Sequence, residues 1–560
     1  MPSNAAIHYV PAGYDTKGPK LMGRMAAGEG FLDAWLRHAG VERFYCYAAG
    51  HKDAEQFAAL ARSANIATPI EWLPWAAPQA IGKPGALYLP DPSLHAHAWR
   101  RRAGDQRAYS LTGITHTTAS AGAMDMIAEL PLAPIQDWDA VICTSRAVKA
   151  MVETLLGEQE AYLADRLGAG RFPRPQLPVI PLGVDCTKFV ADPAARAAQR
   201  AALGIAPDDI AILFMGRLSF HAKAHPYPMY LALERAAAET ASGKGGRLHL
   251  IQAGWFANDF IEQAFRDGAR QFCPSVAAHF LDGRKPELRF AVWQAADLFT
   301  SLSDNIQESF GLTPIEAMAA GLPSVVSDWD GYRDTIEHGA HGFRVPSLAP
   351  PPGQGDDLAD AHAVELDTYD RYCGYASQFI AIDVAAAANA YADLIGNPDL
   401  RRRMGEAARA KALAEFDWRH VIRRYQALWS ELAGRRRSAA ESAPADGRAR
   451  HHAPWPARPD PFAAFGAYPS DVISPAHRLA PGDFPADLAA LAEHPLFAFA
   501  KHRLRLDLCA MILNRAQREE TTLQEIGATL NEADRRHLPR QAVWLAKLGA
   551  IKVLPPTPQA

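Results

Sequence analysis

Cysteine is scarce and scattered in this chain. Its six cysteines, Cys46, Cys143, Cys186, Cys273, Cys373 and Cys509, form no C-x-x-C pair and no metal-ligand spacing. That argues against a disulfide scaffold or a structural zinc site and leaves reduced thiols as the simplest reading. No stretch of about 18 apolar residues occurs, so no membrane-spanning helix is expected. The first residues, Met1-Pro-Ser-Asn-Ala-Ala-Ile-His-Tyr-Val, lack a basic region ahead of a long apolar run, so no signal peptide is expected. A surplus of one charge is missing too. A net charge of −4 gives no global attraction to nucleic acid or to anionic lipid.

What is present is a globular chain. With 560 residues, 49% hydrophobic and 21% charged, it is too long for one core and reads as two or three domains. Residues 1–190 alternate short apolar strands (Ile7–Pro11, Arg43–Ala48, Ala86–Leu89, Ala140–Thr144, Pro178–Pro181) with helical patterns. Residues 205–400 repeat the theme with strands at Ile210–Met215, Arg247–Ala253, Leu298–Ser301 and Ser324–Ser327. Such alternation predicts parallel βαβ units, hence an α/β protein of two Rossmann-like doubly wound domains facing across a cleft. Ligands in such sheets bind at the carboxyl ends of the strands. Alanine-rich closing helices follow over 401–433, then a Ser/Ala/Pro/Gly-rich linker over 434–481. Residues 484–560 predict a small, mainly helical module with a winged-helix-like order of elements. Basic residues Arg535, Arg536 and Arg540 lie in it, with a solvated face as their default reading.

The densest chemical signal is Glu308-Ser-Phe-Gly-Leu-Thr-Pro-Ile-Glu316, two carboxylates eight positions apart around a turn that opens a helix. A helix opening presents unpaired N–H groups and partial positive charge, which suits a phosphate. Carboxylates beside it accept hydrogen bonds from sugar hydroxyls. Thr313 reads as the N-cap, Pro314 as the first helical residue and Gly321 as the C′ residue, giving a helix over Pro314–Ala320. The spacing also fits a capping box, in which Glu316 would serve only the Thr313 backbone.

This string, continued by Ala-Met-Ala-Ala-Gly-Leu-Pro-Ser-Val-Val-Ser-Asp, resembles the E-x7-E signature of retaining glycosyltransferases of family 4, which have the GT-B fold. Val179–Asp185, Ile212–Leu218, Phe416-Asp-Trp418 and Tyr425 follow in the family's order, so the resemblance covers roughly residues 1 to 435. It implies a sugar moved from a UDP- or GDP-sugar to a glycan, lipid-linked or small-molecule acceptor. The resemblance makes Glu308, His116, Arg217 and Lys223 catalytic. Glu308 would contact the sugar hydroxyls and His116 would approach the anomeric centre. Arg217 and Lys223 would hold the departing diphosphate, although six positions separate them here where the family has five. Glu316 would bind the ribose, while Gly311, Leu312 and Thr313 offer backbone N–H groups to the phosphates. Gly18 and Gly23, in the loop Gly13–Gly23, would face the diphosphate from the first domain. The basic loop replaces a divalent metal, so no metal or tightly bound cofactor is expected, and Asp328-Trp-Asp330 lies in the wrong place to be a metal motif. The scattered reduced thiols fit a cytoplasmic protein, with attachment to the inner face of a membrane and self-association through the C-terminal module left open as contacts, and nucleic acid disfavoured. A GT-B phosphorylase or epimerase and a catalytically silent sugar-nucleotide-binding scaffold stay open as alternatives.

Overall fold

Two six-stranded sheets, parallel throughout, organise the first 456 residues. The structure, a computed structural model, describes residues 2–14, 23–240, 246–285, 287–439, 453, 455–484 and 487–557. The chain forms two compact units, Met1–Pro456 and Ala457–Ala560.

In the first unit, strands β1 (Ala6–His8), β2 (Phe44–Ala48), β3 (Ile70–Pro74), β4 (Ala86–Leu89), β5 (Ser110–Ile114) and β6 (Ala140–Ile142) pair in the order β3-β2-β1-β4-β5-β6. Strands β7 (Ile210–Met215), β8 (Leu248–Gly254), β9 (Ala277–Asp282), β10 (Leu298–Ser301), β11 (Ser324–Ser327) and β12 (Gly342–Val345) pair as β12-β11-β10-β7-β8-β9. Each is the doubly wound Rossmann order, which opens a crevice where the order reverses, beside β1 and β4 in one sheet and beside β7 and β10 in the other. The fold is therefore α/β of the GT-B kind. The central strands read as near-continuous apolar runs because helices cover both faces; all four residues of β4 and of β10 are buried.

The boundaries differ from the expected ones where burial rather than alternation sets the pattern. Strands β3, β5, β9 and β12 were not expected. Thr112 and Gly113 interrupt the apolar run of β5, and β9 is half-buried along its length. Pro178–Pro181 is not a strand: only Val179 makes a bridge, to Cys143 beyond the end of β6.

The closing helices do cross back. Helix Trp418–Ser438 lies against helix Gly23–His38 and the first sheet. Tyr425 packs on Phe31 with ring centroids 5.0 Å apart, and Trp429 Nε1 donates to Thr112 Oγ1 at 3.2 Å. The chain enters this helix through a two-way backbone exchange, Val184 N to Phe416 O at 2.9 Å and Trp418 N to Val184 O at 3.1 Å.

In the second unit, strands Arg478–Pro481, Thr521–Thr522 and Ile551–Leu554 make an antiparallel sheet with Arg478–Pro481 in the middle. Helices Leu506–Arg518, Leu523–Gly527 and Glu532–Lys547 pack on it around Leu479, Leu508, Ile512, Leu538 and Leu545. The expected capping box at Thr522 and Glu525 is present.

Candidate active site

The helix that follows Glu308 begins earlier than its sequence suggests. It runs Leu312–Ala319, and its N-cap is Gly311 at φ 82°, with no side-chain cap. Thr313 is thus not the N-cap, and the capping box with Glu316 does not form. The reason is local. Glycine takes a positive φ without steric cost, so the chain turns into the helix two residues sooner. Pro314 still fits, because the first helical amides have no intrahelical acceptor to lose. Gly321, at φ 76°, ends the helix as expected. The helix opening therefore consists of the Gly311, Leu312 and Thr313 backbone, and the Thr313 hydroxyl there is buried without a hydrogen-bond partner. A buried hydroxyl left unpaired at a helix opening fits an anionic ligand that supplies the missing acceptor. Glu316 sits inside the helix, half-buried.

Glu308 lies just after β10, as expected. Its carboxylate is paired with the Lys223 ammonium and accepts from the Tyr332 hydroxyl at 3.3 Å. The side chains of Lys223 and Glu308 are only 16% and 9% exposed, so the pair is largely desolvated. Lys223 therefore reaches the site despite the longer interval from Arg217. Arg217 points into the same loop, its Nη2 donating to Ala222 O at 2.6 Å and to Gln307 Oε1 at 3.4 Å. The carboxyl ends of β7 and β10 thus bring Arg217, Lys223 and Glu308 to the crevice of the second sheet.

What holds the basic loop there was not evident from sequence. Ser303, Asp304 and Asn305, directly after β10, are almost wholly buried polar residues. Ser303 Oγ donates to Lys223 O at 3.1 Å, Asn305 Nδ2 donates to His221 O at 3.0 Å, and Asp304 Oδ1 accepts from His225 N at 3.1 Å. The loop after β7 and the loop after β10 are one hydrogen-bonded body. The available signal was three polar residues in a stretch that should be core. Tyr332 was missed as well. It is fully buried, shares a 2.8 Å hydrogen bond with Ser301 Oγ, and lies under Gly311.

From the first domain, His116 follows β5 and meets the E-x7-E loop through its backbone. Ser309 Oγ donates to His116 O at 2.6 Å, and Thr144 Oγ1 donates to Ser309 O at 3.5 Å. Burial lowers the His116 imidazole to about 4, against which a nearby Asp91 and a hydrogen bond to the Pro90 backbone act only partly. It is neutral near pH 7 and contributes hydrogen bonding rather than charge. Further bonds cross the cleft: Ser145 Oγ donates to Asp330 Oδ1 at 2.8 Å, and Arg146 N and Nε both reach Asp334, at 2.7 and 2.6 Å. Asp330 is thus a cleft-spanning acceptor. Of the first-domain loop, Gly18 lies outside the described residues, and Gly23 opens helix Gly23–His38. The tight glycine in this region is Gly28, where a Cβ would lie 2.1 Å from Gly13 O, so this helix packs directly on the loop after β1.

Two carboxyls near the site carry a pH signature. Burial raises Asp330 to about 8, with Glu308 and Asp334 adding to it, and burial raises Asp304 to about 7. Between an unfolded value near 4 and these folded values, the folded protein binds more protons, so these groups make stability fall as pH rises through 8. Burial lowers His116 and His8 to about 4 and His97 to about 3. These histidines act oppositely, and their contribution is lost as pH falls below ~6.5. Above that pH the carboxyls act without opposition from the histidines. Stability should drop by about 2 kcal/mol between pH 6.5 and 8 on account of Asp330. Asp330→Asn, which keeps an acceptor for Ser145, should flatten that decline in urea-unfolding curves taken across the range. An unchanged slope would remove Asp330 as its source.

Among the described residues no cluster of three His, Cys, Asp or Glu side chains could hold a metal ion. The chain is 30% identical over 305 residues to the D-inositol 3-phosphate glycosyltransferase of Nocardia farcinica, covering 53% of this chain and 57% of that protein. It is 27% identical over 279 residues to the like-named protein of Rhodococcus erythropolis, covering 48% of this chain and 58% of the relative. The chain thus spans a little over half the length of these curated relatives. Among solved structures, Anabaena Alr3699/HepE in complex with UDP superposes with a TM-score of 0.49 at 17% identity, over 76% of this chain and 100% of that one. Residues 195–361 match the family model Glycosyl transferases group 1, so Arg217, Lys223, Glu308 and Glu316 all lie inside the segment similar to that family.

Proposed function

We propose that this chain is a retaining glycosyltransferase that moves a sugar from a UDP- or GDP-sugar to a glycan, lipid-linked or small-molecule acceptor. The observation that carries the reading is the desolvated Lys223–Glu308 pair beside Arg217 at the opening of helix Leu312–Ala319. Transfer from a nucleotide sugar develops negative charge on the departing diphosphate and positive charge on the sugar. Preorganised donors aimed at the first are the largest available source of rate enhancement. Arg217 offers a planar fork, Lys223 a compact charge, and the helix opening its amides and the Thr313 hydroxyl. When a diphosphate takes the Lys223 ammonium, Glu308 is released to accept hydrogen bonds from the sugar hydroxyls. The site in its present state is closed on itself, and the donor exchanges partners with it. Glu316 would take the ribose hydroxyls. Retention follows from the resemblance of the E-x7-E stretch. The cations of the loop after β7 would serve in place of a divalent metal.

The curated relatives favour a small phosphorylated polyol within the acceptor class. The testing experiment is a thermal-shift panel of UDP-, GDP- and ADP-sugars, followed by incubation of the stabilising donor with inositol 3-phosphate and NMR of the product anomer. One nucleotide series should raise the melting temperature by a few degrees through its preference for the folded state, and the product should keep the donor's anomeric configuration. No shift from any nucleotide sugar, or an inverted product, would refute the reading.

A further inference from the structure

Among the described residues no helix is long and apolar enough to cross a membrane. The unit Ala457–Ala560 nevertheless exposes bulky apolar side chains. Leu496 is 71% exposed and Phe499 80% exposed. Both belong to the short turn that starts with helix Pro495–Ala498 and runs on into Lys501–Arg503. Single exposed apolar residues need no explanation, but two large ones at the tip of one turn do.

The surroundings of this tip are basic. Phe497, between the two, packs edge-on against Trp544 with ring centroids 6.1 Å apart, which seats the turn on helix Glu532–Lys547. One turn before Trp544 on that helix is Arg540, whose Nη2 donates to Arg503 O at 3.2 Å. One turn earlier again is Arg536. Residues four apart share a helix face, so Arg536, Arg540 and Trp544 form one line that ends at the exposed turn. Arg503, Arg536 and Arg540 are exposed, and among the described residues none is in an ion pair. The nearby acids are largely engaged: Glu493 holds Lys501, and Asp507 and Asp534 hold Arg505. Glu532, one turn before Arg536, is the acidic residue on that line.

We propose that this surface docks on an anionic lipid bilayer, with Leu496 and Phe499 entering the acyl boundary and Arg503, Arg536 and Arg540 lying among the lipid phosphates. Charge complementarity with bulky apolar tips is the combination that binds a lipid interface. A nucleic-acid surface would use the same arginines, as the helical order of the unit suggests, but gives no role to two apolar side chains projecting into water. A second protein copy would accept the apolar pair but would have to cover three guanidiniums that, among the described residues, have no carboxylate partner.

The test uses the full chain and vesicle co-sedimentation. Protein should pellet with phosphatidylglycerol vesicles and stay in solution with phosphatidylcholine, and binding should weaken as salt rises. The pair Leu496→Asp/Phe499→Asp and, separately, the pair Arg503→Glu/Arg536→Glu should each lower partitioning by about tenfold or more. All four positions are exposed, so circular dichroism and melting should match the parent. Absence of vesicle binding by the parent protein would overturn the proposal, as would undiminished binding by both variants. Binding to duplex DNA without vesicle binding would assign the arginines to nucleic acid instead. A concentration-dependent dimer that Leu496→Asp/Phe499→Asp abolishes, with no vesicle binding, would assign the tip to self-association.

Discussion

Glu308→Gln should reduce sugar transfer by about a thousandfold while nucleoside-diphosphate binding is kept or tightened. The argument starts from Lys223. In the native protein its ammonium is bound to Glu308, and both side chains are mostly withdrawn from water. A diphosphate competes with Glu308 for that cation. The neutral amide competes less, so the ground-state affinity for UDP or GDP should not fall. The sugar, by contrast, would lose the charged acceptor of its hydroxyls, whose hydrogen bonds strengthen as the sugar becomes positive, and a neutral amide replaces that only in part. A loss confined to turnover, with diphosphate Kd from calorimetry unchanged or lower, separates this role from a structural one. Stability should fall by about 1–3 kcal/mol, because a buried cation loses its partner. Arg217→Ala gives the complementary pattern, with weakened diphosphate binding and no relief of Glu308. Near-normal turnover by Glu308→Gln would remove the carboxylate from the chemistry.

The sequence reported some of this site well and some not at all, for physical reasons. Arg217 was legible because it follows β7, a strand whose residues are apolar without interruption, and strand ends are where doubly wound sheets bind ligands. Glu308 was legible only through the resemblance of the E-x7-E stretch, since β10 breaks its apolar run at Thr300 and Ser301 and Glu308 lies in the loop beyond it. The cap of helix Leu312–Ala319 was misread because side-chain capping leaves a mark in sequence and a glycine at positive φ leaves only a glycine. Helix boundaries inferred from Thr and Pro then fall two residues late. Ser303, Asp304 and Asn305 were hidden for another reason. Their bonds go to backbone carbonyls and amides of a loop some 80 residues earlier, and no local pattern encodes a backbone partner at that distance. Tyr332 is similar, since its value lies in contacts with Ser301, Glu308 and Gly311 that only the folded β10 and β11 bring together. In the fold, the buried parallel strands showed through as apolar runs, whereas β9, half-buried, and β5, broken by Thr112 and Gly113, carry weaker signatures.

Gly311→Ala should destabilise the first unit by about 2–5 kcal/mol, from two separable sources. The first is backbone strain, since Gly311 stands at φ 82° and an L-residue there costs ~1–2 kcal/mol. The second is steric. A Cβ at Gly311 would lie 2.2 Å from Cε1 and 2.9 Å from Cδ1 of Tyr332. Tyr332 is fully buried, so its ring has no open space to move into, and overpacking of that kind costs about 1–3 kcal/mol. Moving the ring would also pull its hydroxyl from Ser301 and from Glu308, so activity should fall further than stability alone explains. A double-mutant cycle divides the two sources. In a Tyr332→Ala background the steric part is gone, and Gly311→Ala should then cost only the ~1–2 kcal/mol of backbone strain. Urea unfolding of the four proteins measures this directly. If Gly311→Ala costs the same in both backgrounds, Tyr332 does not buttress the helix opening. If the cost shrinks as expected, the tyrosine beneath the helix supports both halves of the site at once: the amides that would face a phosphate and the carboxylate that would face a sugar.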